Sequence, residues 1–437
     1  MKIEPIRIFE HESLKIGEKG FTEKHLKLLS KYLGDKEGDD FPYYSLINNG
    51  VKFKQYVGVI SVGDIQIEVL PKADKIVGDN DVDTWESHLM EMLKAVFKMK
   101  VDLPTKADQQ IRRNHVLDVF LDHFMDEVEN ILHIGLVKTY RRVESNNTAL
   151  KGRLVMTKHI VKNIVHKERF YVDYTTYDRN HLFNRLLYKT LKVIPDIASG
   201  NYSVQRAKAL MFEFPEVDDI NVSDATFNHI CFDRKTEDYR EAIELAKMIL
   251  LNYMPNMRYC RGNSVLALMF DMNKLWEQYV YVLLKRSLRD DGLKVTAQNR
   301  RDFWMSEDVG VKIVRPDIVV SDGAKCIAVL DTKWKCPKDS KASDSDLKQM
   351  YVYHHYWDTK HSALLYPGDN NAVEGCFAKE RYTCKMYFLP LKNNKDATPE
   401  TKSGILDLTE LIEYINQARK MIEEPLVDAN EKIIVSV

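Results

Sequence analysis

Cysteine is scarce and unorganised: the six residues Cys231, Cys260, Cys326, Cys336, Cys376 and Cys384 form no CxxC pair and have no histidine at zinc-like spacing. That scatter argues against a disulfide framework and a structural zinc, leaving buried or incidental thiols in a reducing compartment. No run approaches the ~20 apolar residues that cross a bilayer. The opening MKIEPIRIFEHESLKIGEKG also lacks the apolar core of a secretion signal. The expectation is a cytoplasmic protein without membrane contact. The phosphate-cradling pattern GxxxxGK[ST] is missing, so the chain is not itself a nucleotide-driven motor. Net charge is lacking too, at −1. An enzyme of nucleic acid with that balance needs a local basic groove or a partner that supplies affinity, because phosphate neutralisation dominates such binding. This favours a subunit over a self-sufficient binder.

A length of 437 residues predicts two or three domains, and the patterning predicts an α+β multidomain chain. Residues 1–82 read as a β-rich module. Thr22–Gly34 places Leu26, Leu29 and Leu33 at helical spacing behind Thr22 as N-cap. Two β-rich runs, Tyr56 to Val62 and Ile65 to Leu70, flank a Gly63-Asp64 turn, a strong hairpin signal. Residues 83–265 read as mainly helical, with an apolar stripe through Leu117, Phe120, Leu121, Phe124, Val128 and Leu132. An insert there carries Lys151, Arg153, Lys158, Lys162, Lys167 and Arg169 against Glu168 and Asp173. It reads as a solvated face or as a contact for phosphate or a partner. Residues 266–437 read as α-β-β-β-α-β-β, a mixed sheet flanked by helices. Its strands are expected at LKVTAQN, VKIVRPDIVV, AKCIAVLDTKW, HSALLYP and CKMYFLPL.

Acid-x-Lys triplets are common in this chain, but Asp331-Thr332-Lys333 differs in following the continuous apolar run CIAVL. Ions are not placed freely at the end of a buried strand, since each costs several kcal/mol unless paired or bound to metal. Alternation puts Asp331 and Lys333 on one face and sends Thr332 to the other. Pro316-Asp317 precedes the run, and a turn near Ser321-Asp322-Gly323 would bring Asp317 opposite Asp331. Two carboxylates and a lysine are the groups that phosphodiester hydrolysis requires around Mg²⁺ or Mn²⁺. Lys333 would position water or offset developing negative charge. Glu277, in the preceding helix, is either an outer metal ligand or a surface carboxylate. Gln349, in the following helix, would orient the lysine or touch a phosphate. His354 and His355 diverge by about 100° on that helix and cannot chelate together, so they read as interface or surface residues. A simple strand-end ion pair is the plain alternative for Asp331 and Lys333.

The ordered set Glu277, Pro316-Asp317, Asp331-x-Lys333 and Gln349-x-x-x-Tyr353 resembles the PD-(D/E)xK nuclease superfamily. The chain from about residue 55 to 390 resembles the McrC family, through IEVLPK, LKGRL, HKERFYVDY, NHLFNRLLYKTL and MNKLWEQYV. That resemblance implies a Mg²⁺-dependent endodeoxyribonuclease subunit of a modification-dependent restriction complex. It implies Asp317 and Asp331 as metal ligands and Lys333 as catalytic lysine, beside the outer-ligand and orienting readings of Glu277 and Gln349. It further implies an McrB-like AAA+ GTPase ring as partner, stimulated by the N-terminal region of the subunit, and modified double-stranded DNA as substrate. Double-strand cleavage would bring two nuclease sites together. The competing readings are a non-catalytic activator of an NTPase ring and a stand-alone nuclease of the same superfamily.

Overall fold

A computed structural model describes residues 5–36, 41–72, 82–97, 116–198, 200–254, 264–306, 310–335, 337, 341–380, 382–391 and 406–423. Cys260, Cys336 and much of the polar loop after Lys335 lie outside them, so the expectations placed there are not addressed.

The predicted hairpin forms: strand Tyr56–Val62 pairs antiparallel with Ile65–Leu70 across a turn in which Gly63 takes φ +64°. It is the centre of a five-stranded sheet whose order is Ile6–Phe9, Ile65–Leu70, Tyr56–Val62, Val265–Asp271, Tyr253–Met254. The fourth strand corrects the sequence reading, because it straddles the division at 265/266 and completes a sheet begun two hundred residues earlier. SVLALMF is an unbroken apolar run, and periodicity cannot distinguish a strand buried on both faces from a buried helix. One face of the sheet, through Ile60, Val62, Ile67, Val69, Val265 and Ala267, packs on helix Glu23–Lys36 and a three-stranded sheet of Ser13–Lys15, Gly50–Phe53 and Tyr44–Ile47. The other, through Val57, Val59, Leu266 and Leu268, joins the helical layer. Gly58 opposes Met269 at φ +137°, and a Cβ there would stand 2.1 Å from the Leu268 carbonyl oxygen, so glycine is required.

Helices Val82–Val96, Val116–Ile134, Leu182–Ile197 and Arg240–Asn252 build a helical layer, the second of them carrying the predicted apolar stripe. Leu117, Phe120, Leu121, Phe124 and Val128 are buried in one core that continues into the C-terminal sheet. Helix Asn201–Glu213, which the sequence reading did not single out, packs beside them. The basic insert is a long antiparallel pair, Thr139–Asn147 with Phe170–Asp178, joined by Arg153–Leu154 and covered on one side by helix Met156–Asn163. Among the described residues no helix is long and apolar enough to cross a membrane.

The C-terminal sheet has six strands in the order Lys294–Ala297, Ile318–Asp322, Lys325–Thr332, His361–Pro367, Thr383–Leu389, Val373–Cys376. Parallel pairing on either side of His361–Pro367 and antiparallel pairing elsewhere make it mixed, as expected. Helices Met272–Ser287 and Thr409–Glu423 contribute to the core on one face, helix Asp344–Trp357 to that on the other. VKIVRPDIVV, read as one strand, is two. Gly310–Val314 pairs with Arg301–Ser306 in a separate two-stranded ribbon, and the sheet strand begins only at Ile318. Arg315-Pro316-Asp317 is the break, consistent with a proline that has no N–H for a central ladder.

Candidate active site

Asp331 lies at the end of the central strand Lys325–Thr332, hydrogen-bonded on one side to Ile318–Asp322 and on the other to His361–Pro367. Val329, on the same face by alternation, packs with Met350 and Tyr353 of helix Asp344–Trp357, whereas Leu330 joins the opposite core. Asp331 therefore points under that helix and is 1% exposed.

Lys333 Nζ stands 2.5 Å from Asp331 Oδ2 and donates to Gln349 Oε1 at 3.2 Å. Gln349 Nε2 donates in turn to Asp331 Oδ1 at 3.3 Å and to the Tyr353 hydroxyl at 2.6 Å. One amide thus bridges the acid and the lysine, the orienting position expected of Gln349. The Tyr353 hydroxyl donates to the Arg315 carbonyl at 3.0 Å, tying the helix to the segment that enters Asp317.

The hairpin register pairs Ile318 with Leu330, which carries Asp317 to the level of Asp331. Asp317 Oδ2 accepts from both the backbone N–H and the hydroxyl of Thr332, at 2.7 and 2.8 Å. Thr332, assigned by alternation to the far face, is therefore the residue that holds Asp317, a role the sequence reading missed. The turn falls at Gly323-Ala324, slightly later than expected, with a bulge at Val320/Ser321 that preserves the juxtaposition. Glu277 faces the pocket and does not sit out in solvent. Burial raises its carboxyl above the ordinary range and the charge of Asp317 raises it further, while a hydrogen bond from Gln298 draws it back.

Burial pushes the Asp331 carboxyl up to about 7, and Asp317 adds to the rise against the pull of Lys333. Burial acts against the Lys333 ammonium, but Asp331, Asp317 and Asp346 overcome it and hold its pKa above the ordinary value. The pocket thus gathers more acid than its lysine neutralises. Apart from the ammonium beside it, Asp331 Oδ2 is buried with no hydrogen-bond partner. The second oxygen of Asp317 has none among the described residues. No three His, Cys, Asp or Glu side chains among the described residues form a preassembled metal cage. Two open carboxylates with surplus negative charge fit a hard divalent cation that keeps most of its waters, as Mg²⁺ does.

Two further residues escaped the sequence reading. Trp334, next to Lys333, donates through Nε1 to Glu10 Oε1 at 2.8 Å and packs on Trp276 with ring centres 5.4 Å apart. Glu10 is buried at the end of strand Ile6–Phe9 and also accepts from the Lys72 N–H at 2.9 Å. The first sheet therefore touches the residue after the lysine. His354 corrects an expectation: it is buried, bonded to the Thr359 carbonyl at 2.7 Å and to Ser362 Oγ at 2.9 Å, and belongs to the core. Only its neighbour His355 is exposed, as read.

Fold and site together define a mixed α/β protein with an acid–lysine pocket at the end of a buried central strand. The model of the family described as McrBC 5-methylcytosine restriction system component matches residues 51–367, a span that includes Glu277, Asp317, Asp331, Lys333 and Gln349. The chain belongs to that family, and the McrC resemblance read from its motifs holds. Its fold is similar to a chain in a half-complex from a tetradecameric assembly of Thermococcus gammatolerans McrB AAA+ hexamers with bound McrC. The TM-score is 0.62 at 19% identity, covering 96% of this chain and 100% of that one. A chain of the Thermococcus gammatolerans McrBC complex is similar over 65% of this chain and 88% of its own, at 21% identity and a TM-score of 0.45. No curated protein is matched.

Proposed function

We propose that this chain is the nuclease subunit of an McrBC-like restriction complex, a Mg²⁺- or Mn²⁺-dependent endodeoxyribonuclease of PD-(D/E)xK type that also stimulates an AAA+ GTPase ring. The observation that carries the reading is the Asp331–Lys333–Gln349 network, set with Asp317 and Glu277 at the end of a buried strand. A bound divalent cation would neutralise charge on the phosphate and acidify a water. Asp317 and Asp331 would hold it, with Glu277 as outer ligand. Gln349 fixes the Lys333 ammonium where it can donate to the attacking water or to a phosphate oxygen. Thr332 keeps Asp317 turned inward while that happens.

The family's description as a 5-methylcytosine restriction system component supports modified duplex DNA as substrate and an McrB-like ring as partner; a cytoplasmic location and two nuclease sites meeting for double-strand cleavage complete the proposal. Residues 1–82 are one proposed ring contact. The insert is a second, favoured by Met156, Ile160, Val161, Ile164 and Val165, all more than half exposed on or beside one short helix. Of its cations Arg153 is paired with Asp173, Lys158 with Glu144 and Arg169 with Glu168, while Lys151 and Lys162 lie over the rings of Tyr174 and Tyr171. That weighs for a protein contact over a phosphate contact.

The deciding experiment reconstitutes the chain with its ring partner and compares cleavage of methylated and unmethylated plasmid with Mg²⁺ and GTP. Asp331→Ala is expected to abolish cutting while leaving stimulation of GTP hydrolysis intact. Equal cutting by the variant would remove the proposed centre, cutting by the wild-type chain without the ring would mark a stand-alone nuclease, and ring stimulation without any wild-type cutting would leave a non-catalytic activator.

A further inference from the structure

A chain of net charge −1 that cuts DNA must gather phosphate through local cations. Three exposed ones stand at the ribbon formed by Arg301–Ser306 and Gly310–Val314: Arg300, Lys312 and Arg315. None is ion-paired among the described residues, in contrast to Arg153 and Lys158 of the insert. The ribbon's acids are Asp302 on its first strand and, in the sequence between the strands, Glu307 and Asp308, so the exposed cations that make no ion pair stand at Lys312 and at the two feet.

Both feet of the ribbon stand in the candidate active site. On the entering side Gln298 holds Glu277 through its side chain and donates its backbone N–H to the Asp317 carbonyl at 3.0 Å. It does so at φ +57°, a conformation a non-glycine residue rarely adopts and that clusters at functional sites. On the leaving side the Arg315 carbonyl accepts from Tyr353, and Asp317 follows two residues later. The ribbon is also anchored along its length. The Arg301 guanidinium lies 5.0 Å over the Trp357 ring and donates to the Tyr356 carbonyl. Tyr356 returns a hydrogen bond to the Phe303 carbonyl at 3.3 Å. Its direction is thus fixed relative to Asp331.

What the ribbon leaves free suits a duplex. Trp304 and Lys312 are cross-strand partners on one face, Trp304 being 50% exposed. Met305, Val311 and Ile313 are exposed on the other. A two-stranded ribbon is one of the two elements that the B-DNA major groove admits.

We infer that this ribbon is a duplex-DNA contact: Arg300, Lys312 and Arg315 neutralise phosphates flanking the scissile one, and Trp304 packs against the groove wall. The inference rests on the proposed nuclease reading, since only a substrate cut at Asp317 and Asp331 needs a guide rooted there. The contacts are to backbone, so they set register and affinity without reading sequence.

The test measures binding of a short unmodified duplex by the full chain in Ca²⁺ buffer across a salt series, separately from cleavage. Arg300→Ala with Lys312→Ala should weaken binding roughly tenfold per cation and lower the slope of log affinity against log salt by about one for each. Trp304→Ala should weaken binding with the slope unchanged. Lys208→Ala, an equal charge change on helix Asn201–Glu213, should do neither. Unaltered affinity and slope in the double variant overturn the inference, as does a wild-type chain that fails to bind at low salt. Normal DNA binding with lost ring stimulation also overturns it and reassigns the ribbon to a protein partner. Asp331→Ala separates the two readings. If it binds normally and does not cut, both stand; if it cuts, the catalytic assignment falls while the binding result still decides the ribbon.

Discussion

Asp331 is costly to keep, a carboxyl at 1% exposure with one oxygen facing only an ammonium. Its folded pKa, about 7, lies above the ordinary 3.8, so the folded state holds a proton that the unfolded chain releases. Metal-free stability is therefore full below the ordinary value and falls as pH rises from there to about 7. A cation bound at the same oxygens competes with that proton. Mg²⁺ should thus raise the melting temperature more at about pH 8 than at about pH 5, and the increment should vanish in Asp331→Asn. Equal shifts at both pH values would exclude Asp331 as a ligand. Gln349→Leu should leave the fold intact but free Lys333, lowering single-turnover cleavage by roughly 10- to 100-fold, the usual cost of losing an outer orienting group. The juxtaposition of Asp331 and Lys333 was legible because charge at the end of an apolar run is anomalous on any reading, and that of Gln349 from its place in the helix that follows. Thr332 and Glu10 were not, because their roles depend on partners far away in the chain and a lone threonine or glutamate carries no anomaly.

At the level of elements, legibility tracked the presence of a local signal. The hairpin of residues 56–70 announced itself by alternation and a Gly-Asp turn, and it forms in the expected register. Strand Val265–Asp271 has no alternation, being buried on both faces, and the ribbon was hidden because only the three residues Arg315-Pro316-Asp317 separate its second strand from the sheet strand that follows. The two glycines of the first hairpin give a graded test. Gly58→Ala must displace the backbone of Leu268 and should cost at least about 3 kcal/mol in denaturant unfolding. Gly63→Ala takes on the left-handed penalty at its turn and should cost about 1 kcal/mol. Similar losses at both sites would mean that Tyr56–Val62 and Val265–Asp271 do not approach as closely as described.

For the molecule as a whole, the Glu10–Trp334 hydrogen bond joins the first sheet to the residue beside Lys333. Trp334→Phe keeps the ring packing on Trp276 and deletes only the donor, leaving a buried acceptor short of a partner at about 1–3 kcal/mol. Cleavage should fall in that variant even where circular dichroism and ring stimulation are unchanged; unaltered turnover would confine Glu10 to a structural role.

The late arrival of strand Val265–Asp271 has a consequence for biosynthesis. Until that segment has left the ribosome, Tyr56–Val62 presents a bare apolar edge with unsatisfied amides, the form of template on which chains stick to one another. A nascent chain stalled anywhere in between should need a chaperone's cover, and a fragment ending near residue 82 should precipitate where the full-length product stays in solution.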